Sequence, residues 1–171
     1  NLQRHSLVHC QITDAALLRR IQALGVLVQY QPCFIEYDRM ICDARVGAEK
    51  ASTSYAFGTL ARLGAHVSYG SDCPVEDCNP FKGIYYAVTR QGLDGTPAGG
   101  WYPQERVDVE TAIDAYTAGS AYNEFMEDHK GRIREGYAAD MVILDRDIFS
   151  VAPQEIKDIL PMRTVVDGKC V

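Results

Sequence analysis

The chain has 171 residues, 47% of them hydrophobic, and a formal net charge of −6. That apolar content suffices for a packed core, and the acidic balance argues against a nucleic-acid surface, which needs clustered Lys and Arg. No apolar run approaches the roughly 20 residues of a membrane-spanning helix, and the opening NLQRHSLVHC lacks the basic leader and apolar stretch of a secretion signal.

Ser6 to Cys10 is a short apolar run. A helix is predicted from Asp14 to Leu24, with Ala15, Leu17, Leu18, Ile21 and Leu24 on its apolar face, Thr13 as N-cap and Gly25 as stop. Val26 to Tyr30 reads as a buried strand closed by Gln31-Pro32, and Cys33 to Gly47 as a long irregular connection. A second helix is predicted over Ser52–Leu63, stopped by Gly64, and a third strand over His66–Tyr69. Strand, helix, strand, helix, strand is the pattern of a parallel α/β sheet. The strands are continuous apolar runs, as in a sheet covered on both faces.

Beyond Asp72 comes a long loop, Pro74 to Val107, interrupted by a short helix near Lys82–Thr89 and carrying Gly99, Gly100 and the single tryptophan, Trp101. A helix over Val109–Phe125 is capped by Asp108. After Gly131 the texture changes. Asp140–Asp145 and Arg163–Val166 read as strands, and Asp167-Gly168 as the hairpin turn into Lys169-Cys170-Val171. The expected division is therefore residues 1–130, an α/β unit, and residues 131–171, a separate small β layer.

In a parallel arrangement the polar residues that follow the strands gather at one end: His9-Cys10-Gln11, Gln29 to Gln31, and Ser71-Asp72. His9 and Asp72 are the candidates for chemistry. Imidazole nitrogen and carboxylate oxygen are both suitable zinc ligands, and a carboxylate beside an activated water can take its proton and pass it to a leaving amine. The plainer alternatives are a turn-forming Asp72 and a His9 satisfied in the core. His5 and His66 start their strands, at the wrong end for such a site, and His129 lies in a charged surface run. Trp101 either lines a pocket or plugs its own loop. The six cysteines are irregularly spaced, as expected of reduced thiols in a cytoplasmic protein. Cys73 and Cys78 form an unusual pair for a metal knuckle and stand as a minor alternative site.

Several stretches carry a resemblance. RHSLVHCQ, GVLVQYQP, GSDCPVEDCNPFKGIYYAVTR, TAIDAYTAGSAY, KGRIREGYAADMVILDRDIF and TVVDGKCV together resemble the amidohydrolase superfamily, in its YtcJ-like, amidohydrolase-3 branch. The resemblance implies a metal-dependent hydrolase of non-peptide C–N bonds (amide, formamide or cyclic amide) built on a (β/α)8 TIM-type barrel, with a small β-sandwich made from both chain termini. It implies that His9 binds the metal at the end of strand 6, and that Asp72, of the Gly-Ser-Asp segment, serves as ligand and general base at the end of strand 8. The loop holding Gly99, Gly100 and Trp101 would bind substrate. Val8 departs from the family, which often has Glu at that position.

No His-x-His pair occurs in this chain, although the family begins with one. Only three strand–helix units are present, where such a barrel has eight and about 250 residues. The chain is therefore expected to be the C-terminal part, about strands 6–8, of a longer enzyme, and inactive alone. Zn2+ or another divalent metal is expected in the full-length enzyme, with none held by this part. The expected partners are a small amide-type substrate and either the missing N-terminal part or a second copy, with no nucleic acid and no membrane. The rival reading is a non-catalytic α/β module that associates through its open sheet.

Overall fold

The computed structural model describes residues 1–171 throughout. Three short strands, β1 (Ser6–Val8), β2 (Leu27–Tyr30) and β3 (Val67–Tyr69), form a parallel sheet in that order. Ser6 pairs with Leu27 and Val8 with Gln29; on the other side Val28 pairs with Val67 and Tyr30 with Tyr69. Strand β2 is buried at Leu27, Val28 and Tyr30, while β1 is exposed along its length. Coverage on both faces thus holds for the central strand and fails at β1, whose Leu7 and Val8 are exposed.

Helix α1 (Ala15–Ala23) returns the chain from β1 to β2. Its N-cap is Asp14 rather than Thr13: the Asp14 carboxylate accepts from the Leu17 N–H at 2.8 Å. Thr13 instead trades hydrogen bonds with Thr53, each hydroxyl donating to the other's carbonyl at 2.8 and 2.6 Å. The buried face of α1 is Leu18 and Ile21; Leu17 and Leu24 stay exposed.

The segment read as irregular, Cys33–Gly47, is largely helical. A 3-10 turn at Pro32–Phe34 leads into α2 (Ile35–Val46). The sequence hid this helix because its apolar residues are scattered. Ile35 and Cys42 are buried, but Tyr37, Met40 and Ile41 face solvent. Glu36 and Asp38 in the first turn and Arg45 in the last match the helix dipole. Of the predicted Ser52–Leu63 helix only α4 (Phe57–Arg62) forms: the short helix α3 (Ala48–Ala51) ends before Ser52, and the turn between them carries Tyr55 at φ +48°.

After β3, α5 (Pro80–Thr89) is almost wholly buried and is capped by Asn79, whose side chain accepts from the Phe81 N–H at 2.9 Å. The predicted Val109–Phe125 helix breaks at Thr117 into α6 (Val109–Tyr116) and α7 (Ala118–Asn123). Asp108 caps α6 as expected, at 2.7 Å from the Thr111 nitrogen. Helix α7 lies against the outer edge of β3. The Ser120 hydroxyl donates to the Tyr69 carbonyl at 3.4 Å, and a Cβ on Gly119 would stand 2.3 Å from the Val67 carbonyl. Only a glycine admits that approach.

The chain ends in an antiparallel sheet of β4 (Met141–Leu144), β5 (Pro161–Val166) and β6 (Lys169–Cys170), with the turn at Asp167–Gly168. Its apolar residues Met141, Val142, Ile143, Met162 and Val166 are exposed. Ile148, Ile156 and Ile159, from the segment between β4 and β5, join the same core as the helices.

That core is aromatic at its centre. Phe57 packs edge-on to Tyr30 at 4.9 Å between centroids and lies 5.3 Å from Tyr69, which in turn meets Tyr116 at 5.5 Å. In its midst Arg90 is fully buried. Its Nε donates to the Trp101 carbonyl at 2.9 Å, and its two terminal nitrogens donate to Tyr55 and Ser54 carbonyls at 2.8 and 3.1 Å. Its guanidinium lies 4.8 Å from the Trp101 ring centroid and 5.3 Å from that of Phe57. Burial pulls its pKa down to about 10, against the opposing field of the Glu105 carboxylate. Glu105 is itself buried and accepts from the Thr59 N–H at 2.8 Å and hydroxyl at 2.6 Å.

Arg90→Met keeps the length but removes the guanidinium donors from three carbonyls, of which only that of Tyr55 keeps another, the Phe57 N–H at 2.7 Å. The expected loss is about 3–5 kcal/mol in urea unfolding. Stability within about 1 kcal/mol of wild type would show that these carbonyls find other partners.

Candidate functional site

Because the three strands are parallel and in register, the residues following them emerge at one end of the sheet. His9 follows β1 directly, Gln31 follows β2, and Asp72 lies three residues past β3. The His9 N–H continues the ladder by donating to the Gln29 carbonyl at 2.8 Å. His9 and Asp72 both adopt left-handed backbone, at φ +66° and +57°. Such conformations are uncommon for non-glycine residues and often mark sites where the backbone must aim a side chain.

The His9 ring is half-buried and doubly held. Its Nδ1 lies 2.8 Å from the Gln31 side-chain oxygen, and the ring stacks on Phe34 with centroids 5.7 Å apart and an interplanar angle of 27°. Its Nε2 has no protein partner. The Asp72 side chain is exposed and takes part in no hydrogen bond, while its carbonyl accepts from the Val75 N–H at 2.8 Å and closes the turn. The structure therefore brings His9 and Asp72 to the same end of one sheet, each with side-chain atoms that have no protein partner. No three His, Cys, Asp or Glu side chains gather closely enough to hold a metal ion. All six cysteines are free thiols, with Cys73 and Cys78 exposed.

A second polar cluster at this end went unseen in the sequence. Asp38, in the first turn of α2, accepts from Gln11 Nε2 at 2.6 Å and from the Tyr55 hydroxyl. Burial and the Asp38 carboxylate both push the Tyr55 phenol up. Asp38 was hidden because its helix was hidden; an acidic residue soon after a Pro-led turn was the available signal.

The loop expected to contact substrate is held from within. Gly99 is exposed and Gly100 is half-buried, both in left-handed conformation, at φ +81° and +89°. A Cβ on Gly100 would come 2.3 Å from the Thr89 carbonyl, so the turn requires glycine there. Trp101 is buried, with 7% of its surface accessible, and its ring N–H donates to Asp43 at 3.0 Å. The neighbouring Tyr102 hydroxyl donates to the other Asp43 oxygen at 2.5 Å. Asp43 is held below its ordinary value of 3.8 by the Tyr102 and Trp101 hydrogen bonds, and burial with that carboxylate pushes the Tyr102 phenol up to about 12.

A cavity of about 450 Å³ lies elsewhere, beside the amino end of β3, lined in part by His66, Tyr69, Asp114, Tyr122 and Arg132. Its charges are paired: Arg132 with Asp114 at 3.6 Å within the lining, and Lys130 with Glu124 and Glu127 with Arg4 across its border. His66 there stacks on Tyr122 with ring centroids 4.3 Å apart.

Comparison with known proteins places these features in a family. The pattern of the Amidohydrolase family matches residues 1–171. The chain is 32% identical over 169 residues to the putative amidohydrolase YtcJ of Bacillus subtilis, covering 98% of this chain and 32% of that protein. It is 32% identical over 110 residues to an N-substituted formamide deformylase of Arthrobacter pascens, covering 64% of this chain and 20% of that protein. Among solved structures, an uncharacterized metal-dependent hydrolase from Pyrococcus horikoshii is 28% identical with a TM-score of 0.75, covering 88% of this chain and 30% of that one. The chain thus spans no more than about a third of the length of the relatives it matches.

Asp43 has a folded pKa below its ordinary 3.8, so its contribution is complete above that value and is lost as pH falls through the lower folded one. Trp101 is the only tryptophan, so its fluorescence reports this clamp directly. An emission change below about pH 4 is expected in the wild type and is expected to be absent in Asp43→Asn. Identical acid profiles in the two proteins would show that other groups govern the loop.

Proposed function

The chain belongs to the amidohydrolase family, and from that premise we propose that it contributes part of the active site of a metal-dependent hydrolase of non-peptide carbon–nitrogen bonds. The observation that carries the reading is that His9 Nε2 and the Asp72 carboxylate, neither with a protein partner, both follow the carboxyl ends of strands in one parallel sheet. In open α/β sheets and barrels alike, that is the end at which ligands are handled.

The donor set fits a divalent metal, zinc foremost: one imidazole nitrogen and one carboxylate oxygen. Two ligands are fewer than the three protein ligands of a usual catalytic zinc. The rest would come from chain beyond these residues, and this part alone would hold no competent metal. A bound divalent metal supplies Lewis acidity, bringing the ionisation of water within reach of neutral pH. Within this chain His9 would hold the metal through Nε2. Asp72 would help to hold it and would accept the water proton on a carboxylate oxygen. The water oxygen adds to the amide carbon, the C–N bond breaks, and Asp72 returns the proton to the departing nitrogen. The products are an acid and an amine, joined in one ring-opened molecule when the amide is cyclic.

Amide, formamide and cyclic amide substrates are the proposed class, supported by the likeness to a protein named N-substituted formamide deformylase. Gly99 and Gly100 offer backbone to such a substrate. Trp101 acts from beneath, by holding the loop that carries them. In the fold we propose, β1, β2 and β3 are strands 6, 7 and 8 of an eight-stranded barrel, and residues 131–171 form one part of a composite β-sandwich. The exposed apolar faces of β1 and β4 support a partner there, either the remaining chain or a second copy. The lack of any three-ligand cluster favours a second reading, a non-catalytic module that docks through its open sheet.

Asp72→Asn tests the first reading cleanly. Asn tolerates the left-handed conformation that Asp72 occupies, and the carboxylate supports no hydrogen bond that folding needs. In the protein extended to the length of its relatives, kcat/KM on a panel of formamides and cyclic amides should fall roughly 10²–10⁴-fold with an unchanged thermal midpoint. Full activity would remove Asp72 from the reaction. Absence of any hydrolysis in the extended wild type, with or without added zinc, would favour the docking module.

A further inference from the structure

The hydrogen bond between His9 and Gln31 determines more than the position of the ring. An amide oxygen accepts and never donates, so at 2.8 Å from the Gln31 Oε1 the proton must sit on His9 Nδ1. A neutral imidazole carries one ring proton, which leaves Nε2 with its lone pair bare. That is the form a metal requires, and it is fixed by the partner of the other nitrogen. We infer that Gln31 is a positioning residue that holds His9 in the Nδ1–H tautomer and presents Nε2 as the ligating atom. The inference rests on the reading of His9 as a metal ligand only for its purpose, since the tautomer is a property of the metal-free chain.

Three features keep Gln31 in place. It is buried, with 6% of its surface accessible. It precedes Pro32, which restricts its backbone to extended conformations, and its φ and ψ are −117° and 88°. The 3-10 turn begun by Pro32 then sets Phe34 under the imidazole, so one short stretch supplies both the acceptor at the ring edge and the stacking surface on its face. The parallel register brings this stretch beside His9 although 22 residues separate Gln31 from it.

Long-range 1H–15N correlation spectra of the labelled chain at about pH 8, above the usual histidine range near 6.5, read the tautomer directly. Wild type should show His9 protonated at Nδ1 and bare at Nε2. Gln31→Glu preserves an acceptor and should keep that pattern. Gln31→Met, of similar length with no acceptor, should move the proton wholly or partly to Nε2, while amide signals distant from the site report an intact fold. An Nε2–H ring in the wild type, or an unchanged ring in Gln31→Met, overturns the assignment. The wild-type spectrum alone suffices for this if Gln31→Met does not fold. Zinc added to the same variants in the protein extended to the length of its relatives should shift Nε2 in wild type and Gln31→Glu, and should need roughly ten-fold more metal in Gln31→Met. If zinc leaves Nε2 untouched while the tautomer pattern holds, His9 is no metal ligand and the hold of Gln31 on the ring still stands.

Discussion

Two parallel ladders, one on each side of β2, are the constraint on which the site depends. In a parallel pair the side chains of both strands advance together, so residues just beyond the strands emerge on the same side. His9, Gln31 and Asp72 leave the same end of the sheet for that reason. Strand spacings of about 4.8 Å then put residues past β1 and β3 about two spacings apart, with Gln31 between them. An antiparallel β2 would send Gln31 to the opposite end and leave His9 without its acceptor.

The mouth so formed is tied to the interior through polar links that cross the aromatic core. Arg90 joins the Trp101 carbonyl to that of Tyr55. The Tyr55 hydroxyl reaches Asp38, and Asp38 takes the Gln11 amide two residues beyond His9. Burying a guanidinium is costly, and the cost is offset here by three charge-assisted hydrogen bonds, two aromatic faces and the nearby Glu105. A core of aliphatic residues in place of Arg90 would pack well but would leave the loop from Arg90 to Val107 without its anchor.

Much of this was legible in the sequence where the physics is local. The strands are short apolar runs, two of them ended by Gln31-Pro32 and Gly70, and the caps at Asp108 and the Asp167–Gly168 turn follow from side-chain chemistry within a few residues. The positions of His9 and Asp72 past strand ends followed from those runs. What was not legible depends on tertiary contact. Helix α2 shows solvent Tyr37, Met40 and Ile41, so its periodicity is blurred and Asp38 was lost with it. The Thr117 break in the helix before Glu124 leaves no composition signal. For Trp101, after two glycines in a long loop, the sequence leaves pocket lining and plugging its own loop equally open. Its burial comes from Arg90 and Asp43, 11 and 58 residues away.

The packing of α7 makes the parallel sheet unequal at its two borders. In β3 the His66 carbonyl and Gly70 N–H serve β2, which turns the backbone groups of Val67 and Tyr69 outward. Gly119 and Ser120 close over them. At β1 the Leu7 groups serve β2, and the outward groups of Ser6 and the Val8 N–H meet no helix. Growth of this sheet is therefore directional: an incoming strand finds open hydrogen-bonding sites before Ser6 and a barred door at Val67.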